Sequence, residues 1–297
     1  MKHHDILIVG SGVIGTTLAN SLKSDDLSIG IIDSEASPKF SKRHLSINSN
    51  SLNFLKKLDL WHLIKPNAFP YETIKVWDQE GSGFIEFNSE DTERENLGHI
   101  ICEGDIQKFA LNALDEKKIS FYWENNLEEV KKESSEIICR TSGDIFSCSI
   151  LIGCDGISSS VRGLAKFKSR SWSYNQTAIV ANFKSNQIDS TIKQTFTKVG
   201  PLALLPINAE ELTMIWSIDD EYAFEFLQKG EEEFIQSIYS HFGEEIGDLS
   251  FSTVRQSFPL NHLSSKTFAK NGVFLLGDAA HQIHPLAGLG LNAGIGD

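Results

Sequence analysis

Residues 5–33 read DILIVGSGVIGTTLANSLKSDDLSIGIID, and this stretch limits what the chain can fold into more than any other. Residues 5–9 are a short apolar run with a β-branched bias, the pattern of a parallel strand buried on both faces. Gly10, Gly12 and Gly15 follow as G-x-G-x-x-G, after which Ile14, Leu18 and Leu22 recur at helical spacing. LSIGIID then gives a second strand ending on Asp33. In a β-turn-α-β unit of this kind each glycine has its own steric task. Gly10 permits the tight turn out of the strand, Gly12 lets a diphosphate come close to the backbone, and Gly15 lets the helix pack near the sheet. The unpaired N–H groups and partial positive charge at the helix start favour phosphate oxygens. Asp33 is placed to accept from a ribose hydroxyl, and its charge repels a 2′-phosphate. The plainer alternative is a glycine turn that only closes a βα unit.

Two later stretches repeat the strand-then-glycine style. GCDGISSSVRG, residues 153–163, delivers Asp155 and Gly156 from an apolar strand and places Arg162 shortly after. This could be a ligand turn or simply a capped helix start, with Ser158 or Ser159 as the cap and Asp155 orienting the turn. GDAAHQIHPLAGLGLN, residues 277–292, leaves the strand VFLL at Gly277 and Asp278. Its two alanines let a ligand lie against the backbone, Pro285 stiffens the loop, and Gly288, Gly290, Leu291 and Asn292 begin a helix with free N–H groups. His281 and His284 raise a metal site for consideration. No third ligand is evident and Pro285 breaks the helix that would align them, so metal is set aside and both histidines are expected to pack or hydrogen-bond in the loop.

Between these motifs the pattern changes. Residues 43–64 place Leu52, Leu55, Leu58 and Trp61 at helical spacing, and GDIQKFALNALDEK, residues 104–117, is again helical. TIKVWDQEGSGFIEFN, residues 73–88, alternates with period two around Gly-Ser-Gly and predicts an antiparallel hairpin. From 176 to 259 strands dominate, followed by a helical stretch with Phe224, Phe226, Leu227, Phe234 and Ile235. The expected fold class is therefore α/β. A Rossmann-like nucleotide-binding domain of residues 1–70, 98–175 and 260–297 carries an inserted β-rich domain of residues 71–97 and 176–259. In the insert, Phe183, Phe196, Leu202, Leu204, Leu205 and Trp216 form either the roof of an apolar pocket or the core of its sheet, the core being the ordinary fate of such residues.

Charge and cysteine usage exclude several functions. Lys and Arg number 27 against 40 Asp and Glu, a net charge of −13, with no basic cluster to grip a phosphate backbone. Nucleic acid is not an expected partner. Cys102, Cys139, Cys148 and Cys154 form no C-x-x-C pair and read as free thiols in a reducing compartment. No apolar run reaches the ~18 residues of a spanning helix, and the first strand starts without a signal peptide. A cytoplasmic protein is expected, one that still touches a membrane surface.

Taken together, GxGxxG at the start, GxDGxxSxxR mid-chain and GDAAHxxHPxxGxGLN resemble the FAD-dependent aromatic hydroxylases, the single-component flavoprotein monooxygenases, whose fold is that of para-hydroxybenzoate hydroxylase. LGHII at 97–101, FTKVGPLALLPI at 196–207, SFPL at 257–260 and HQIHPLAGLGLNAGIGD are similar to the ubiquinone-biosynthesis branch. The resemblance implies FAD as cofactor, with Gly10, Gly12 and Gly15 at its diphosphate and Asp33 at the adenosine ribose. Arg43 would lie near the FAD and Asp155 toward the diphosphate. Gly277 and Asp278 would sit at the ribityl chain, Pro285 at the isoalloxazine face, and Gly288, Gly290, Leu291 and Asn292 at the flavin's pyrimidine edge. It further implies O2, electrons from NAD(P)H or a separate reductase, a polyprenylated phenol or quinone precursor, and a quinone-biosynthesis protein complex. No residue stands out as a substrate base. Other flavin oxidoreductases of this fold, or a non-catalytic subunit holding FAD or lipid, are the competing readings. The W-x-W-x-I-P motif of the fold's halogenases is missing. Glu103 departs from the family, whose members carry Asn, Gln or Arg there, and a carboxylate facing the flavin would oppose its anionic reduced form. Family members also continue well past the GD motif, so the chain reads as truncated, with weakened folding or self-association expected.

Overall fold

The computed structural model describes residues 1–22, 26–114 and 119–297, and among these the strands fall into three sheets. The first is built around five parallel strands in the order Val273–Leu275, Ile145–Gly153, Lys2–Val9, Ile29–Ile32, Ile119–Tyr122. From the central strand Lys2–Val9 the chain passes through the helix Val13–Leu22 to Ile29–Ile32 on one side. It returns much later to Ile145–Gly153 on the other. A reversal of this kind opens a crevice at the carboxyl ends of the strands. All three glycine turns leave the sheet at that edge: Gly10 after Val9, Cys154 after Gly153, Gly277 just after Leu275.

Both faces of this sheet are covered. Leu7, Val9, Phe146, Leu151 and Leu275 pack on one side, and Ile6, Ile8, Ala19, Ile29, Ile31 and Ile119 on the other. That is why residues 5–9 form an unbroken apolar run instead of alternating. The four cysteines are free thiols, three of them buried.

The second sheet has nine strands. Its main path runs His281–Gln282, Gln256–Ser265, Ser169–Lys184, Glu211–Asp219, Gly200–Pro206, Thr191–Thr197, Thr73–Asp78, Phe84–Asn88. Thr73–Asp78 and Phe84–Asn88 are the antiparallel hairpin read from the sequence. One face lies under the helices Asp220–Gln228 and Glu231–Phe242, with Phe183, Leu202, Leu204 and Trp216 in that core. These four belong to the sheet's core, not to a pocket roof. Leu205 is buried in a separate cluster with Ile207, Tyr71 and Ile100, and Phe196 stays exposed. The expected boundaries at 175/176 and 259/260 fall inside Ser169–Lys184 and Gln256–Ser265, two strands that pair continuously apart from one bulge.

The third sheet, His44–Asn48, Gly98–Cys102 and Phe69–Tyr71, corrects one expectation. Residues 43–64 are not helical throughout. His44–Asn48 is a strand, paired residue for residue with Gly98–Cys102, and Leu45 and Ile47 are buried by it. The helix Ser49–Lys57 begins only where the Asn48 side chain accepts from the Ser51 N–H. It stops before Asp59, whose φ of 58° is left-handed. The helix expected over 104–117 is Glu103–Asn112, and residues 115–117 lie outside the described residues. Among the described residues no helix is long and apolar enough to cross a membrane.

Candidate active site

The first glycine turn is braced from two sides before any ligand arrives. Asp33 Oδ2 accepts from the Ser11 N–H at 2.7 Å and from the Ser11 hydroxyl at 2.6 Å, while its Oδ1 accepts from the Glu35 N–H at 3.0 Å. Gln107, on the helix Glu103–Asn112, donates to the Ser11 carbonyl at 3.0 Å. Asp33 therefore spends most of its acceptor capacity on the protein, with room for one further donor. The sequence reading gave it a ribose alone. Ser11 and Gln107 were missed because their partners lie far away in the chain.

The three glycines divide as the steric argument requires. Gly10 has φ +104°, and a Cβ there would stand 2.4 Å from the Cys154 carbonyl oxygen. A Cβ on Gly15 would lie 2.0 Å from the Gly10 carbonyl oxygen. Around Gly12 nothing comes within 4 Å of an added Cβ. The first two are needed for the turn itself, whereas Gly12 faces open space.

At the second turn the structure shows a capped helix. Asp155 Oδ2 accepts from the Ser160 N–H at 2.7 Å and the Val161 N–H at 3.2 Å, and Ser159 Oγ accepts from the Arg162 N–H. Asp155 Oδ1 is buried without a partner, which leaves one lone-pair edge for a ligand donor. Arg162 reaches across to donate to the Ala279 carbonyl at 2.9 Å. The second turn is thereby fastened to the third.

Asp278 differs from the other two acids. No described protein group hydrogen-bonds to its carboxylate, which is open to solvent. Yet protein crowds it enough that desolvation raises its pKa, with the Glu103 charge adding to the rise and Arg43 and His281 opposing it. Open and crowded at once describes the wall of a cleft. Arg43 donates to Glu103 Oε1 at 2.9 Å. The carboxylate that departs from the family pattern is thus paired with the arginine.

The last turn is held by its neighbours. Gly288 takes φ +63°, and a Cβ on it would press on Ser46 at 3.1 Å. Asn292 Oδ1 accepts from the Asn48 N–H at 3.0 Å, and its amide nitrogen donates to the carbonyls of Ser46 and Gly288. The Asn292 side chain is therefore a staple onto the strand His44–Asn48, and what it leaves for a ligand is backbone. Leu291 packs into the cluster around Val13, Leu45 and Ile47. Gly290 faces open space. His281 and His284 turn to different partners, His281 to Asp297 at 2.9 Å and His284 to Gln176 at 2.9 Å.

The residues of these turns fit FAD. Open backbone at Gly12 and Gly156, an orphaned oxygen on Asp155 and an unpartnered Asp278 lie along one carboxyl edge of a doubly covered parallel sheet, and the helix that carries the open Gly290 packs beside Gly277. Fold and site together define a dinucleotide-binding oxidoreductase whose three glycine turns leave one edge of the same parallel sheet.

Residues 3–297 match the family described as FAD binding domain. The chain belongs to that family: it is an FAD-dependent monooxygenase of the aromatic-hydroxylase kind. It is 29% identical to the ubiquinone biosynthesis monooxygenase COQ6, mitochondrial, of Xenopus tropicalis, over 99% of this chain and 75% of that protein. It is 28% identical to the protein slr1300 of Synechocystis, over 99% of this chain and 73% of the other. Among solved structures, pqsL, a probable FAD-dependent monooxygenase from Pseudomonas aeruginosa, shares the fold. Its TM-score is 0.82 at 19% identity, covering 99% of this chain and 83% of that one.

Proposed function

We propose that the chain hydroxylates the aromatic ring of a polyprenylated quinone precursor, consuming O2 and a pair of electrons from NAD(P)H or a separate reductase. Ring C–H, O2, NAD(P)H and a proton would give ring C–OH, NAD(P)+ and water. Likeness to ubiquinone-biosynthesis monooxygenases supports the substrate class. The observation that carries the reading is the convergence of Gly12, Asp155 and Asp278 on one edge of the parallel sheet.

In this reading residues 1–70, 98–175 and 260–297 make the FAD-binding unit, and residues 71–97 and 176–259 the substrate side. Gly10, Gly12 and Gly15 shape the diphosphate cradle, Asp33 offers its remaining acceptor to the ribose, and Asp155 stands toward the diphosphate. Gly277 and Asp278 meet the ribityl hydroxyls. Pro285 flanks the ring system, and the backbone of Gly288, Gly290, Leu291 and Asn292 meets its polar edge. Arg43, already paired with Glu103, closes the cleft on the side of Asp278. The chemistry supplied at this place is flavin's: electrons passed to O2 and one oxygen atom delivered to an electron-rich ring. The protein's own work is to orient that ring and keep water away, since water there favours release of peroxide. A prenylated substrate would bring the protein to a membrane surface or to a lipid-carrying partner in a quinone-biosynthesis complex.

The test is the visible spectrum of the purified chain, followed by NAD(P)H oxidation with and without prenylated phenols and mass analysis of the product. A flavin spectrum, stimulated oxidation and a product heavier by one oxygen are expected. A colourless protein that cannot be reconstituted with FAD refutes the proposal.

A further inference from the structure

The turn carrying Pro285 joins the nine-stranded sheet through its own short strand His281–Gln282, and it is tied to that sheet a second time by three side chains in series. His284 Nε2 lies 2.9 Å from Gln176 Oε1, and Gln176 Nε2 donates to Asp219 Oδ1 at 2.8 Å. Gln176 and Asp219 are direct cross-strand partners. Asp219 stands just before the helix Asp220–Gln228, yet its side chain makes no capping bond there.

The chemistry of this series fixes its protons. An ionised carboxylate only accepts, so the Gln176 amide must turn its NH2 to Asp219 and its carbonyl to His284. A carbonyl has no proton to give, so the imidazole must donate from Nε2. Burial lowers the His284 pKa and favours the neutral ring, whose single proton is then spoken for. Nδ1 is left bare, and it is buried without a partner. That suits a lone pair, because an orphaned buried N–H is the rarer case. Tyr174 lies edge-on to the ring at 5.1 Å.

We infer that His284 is a positioning residue for oxygen transfer. Beyond the backbone pairing of His281–Gln282 with Leu263 and Ser264, the Asp219–Gln176–His284 series holds the Pro285 end of the turn against the substrate sheet, and so trims the gap in which ring and cofactor would meet. The inference rests on the ring-hydroxylase reading above. The rest of the cradle is held by other bonds, those of Asp33 and Gln107 to Ser11 and those of Asn292 to Asn48 and Ser46. Cutting the series should therefore leave FAD in place and misplace the ring.

The experiment compares the FAD-loaded wild type with Gln176→Leu, Asp219→Ala and Asp219→Asn. Three readouts are taken: the His284 tautomer by NMR of 15N-histidine-labelled protein, the FAD dissociation constant, and peroxide released per NAD(P)H oxidised with a prenylated phenol. The wild type and Asp219→Asn, which keeps an acceptor facing Gln176, should show one neutral Nε2–H tautomer and the same low peroxide yield. Gln176→Leu and Asp219→Ala should show mixed tautomers and peroxide raised about fivefold, as for one hydrogen bond of about 1 kcal/mol, with FAD affinity within about twofold. An Nδ1–H tautomer in the wild type overturns the inference, and so does a loss of FAD affinity that parallels the peroxide. If phenols stimulate oxidation and Gln176→Leu couples like the wild type, only the positioning role falls. If no phenol stimulates the wild type, the hydroxylase reading falls and takes this role with it.

Discussion

Replacing the glycines of the first turn one at a time should separate ligand binding from folding. On Gly15 a methyl group would stand 2.0 Å from the Gly10 carbonyl oxygen, a backbone atom that cannot rotate aside. The helix Val13–Leu22 must back away from the turn, and overpacking of this kind costs about 1–3 kcal/mol, here toward the upper end. At about 2–4 °C per kcal/mol for a large domain, Gly15→Ala should lower the melting midpoint by roughly 5–10 °C. On Gly12 the same methyl meets nothing within 4 Å, so Gly12→Ala should melt within about 1 °C of the wild type. That methyl would fill the space a diphosphate needs. Losing one or two good hydrogen bonds to it should weaken FAD at least about tenfold. Thermal melts of FAD-free protein give the first quantity, and quenching of FAD fluorescence on titration gives the second. If Gly12→Ala melts as low as Gly15→Ala, or holds FAD as tightly as the wild type, the division of labour among the glycines is wrong.

Three further outcomes follow from the same geometry. Asp278→Asn should stabilise the FAD-free protein at neutral pH yet weaken FAD. Its raised pKa means that the folded state loses stability as pH climbs from the unfolded value of about 3.9 through the folded one, and melts from pH 4 to 7 should show that slope vanish in the variant. His281 titrates in the opposite charge sense. Its hydrogen bond to Asp297 raises its pKa, so the contribution is complete below about 6.5 and fades as pH rises through the folded value; His281→Gln should flatten the melting profile between pH 6 and 8. Asn292→Leu removes three hydrogen bonds to Asn48, Ser46 and Gly288 and should cost about 2–4 kcal/mol, read as a fall in the denaturant midpoint.

The cofactor side was legible in the sequence because its signals are local. A strand, a glycine turn and a helix within residues 5–22 carry their own steric logic, and the same style returned at Asp155 and Asp278. What stayed hidden depends on partners distant in the chain. Residues 44–48 passed for the start of a helix because their strand character comes from Gly98–Cys102. Asp33 and Asp155 looked like ligand groups, but much of each carboxylate is spent on neighbouring N–H groups. Asp278 is the one of the three whose carboxylate takes no hydrogen bond from the described residues, which spacing alone could not tell. Tryptophan and phenylalanine in the insert read as roof or, more readily, as core, and the strand register puts Trp216 under the helices.

The strands Ser169–Lys184 and Gln256–Ser265 run as a paired ribbon from the neighbourhood of the second glycine turn into the middle of the other sheet. A ribbon of this length resists bending, because a hinge across it would break its ladder bonds. The ladder is interrupted only at the bulge between Ser173 and Gln176, so bending of the ribbon is confined to that point. A bulky substrate of the kind proposed would then enter chiefly by the movement of loops and side chains at the rim, and traffic there would set the pace of turnover.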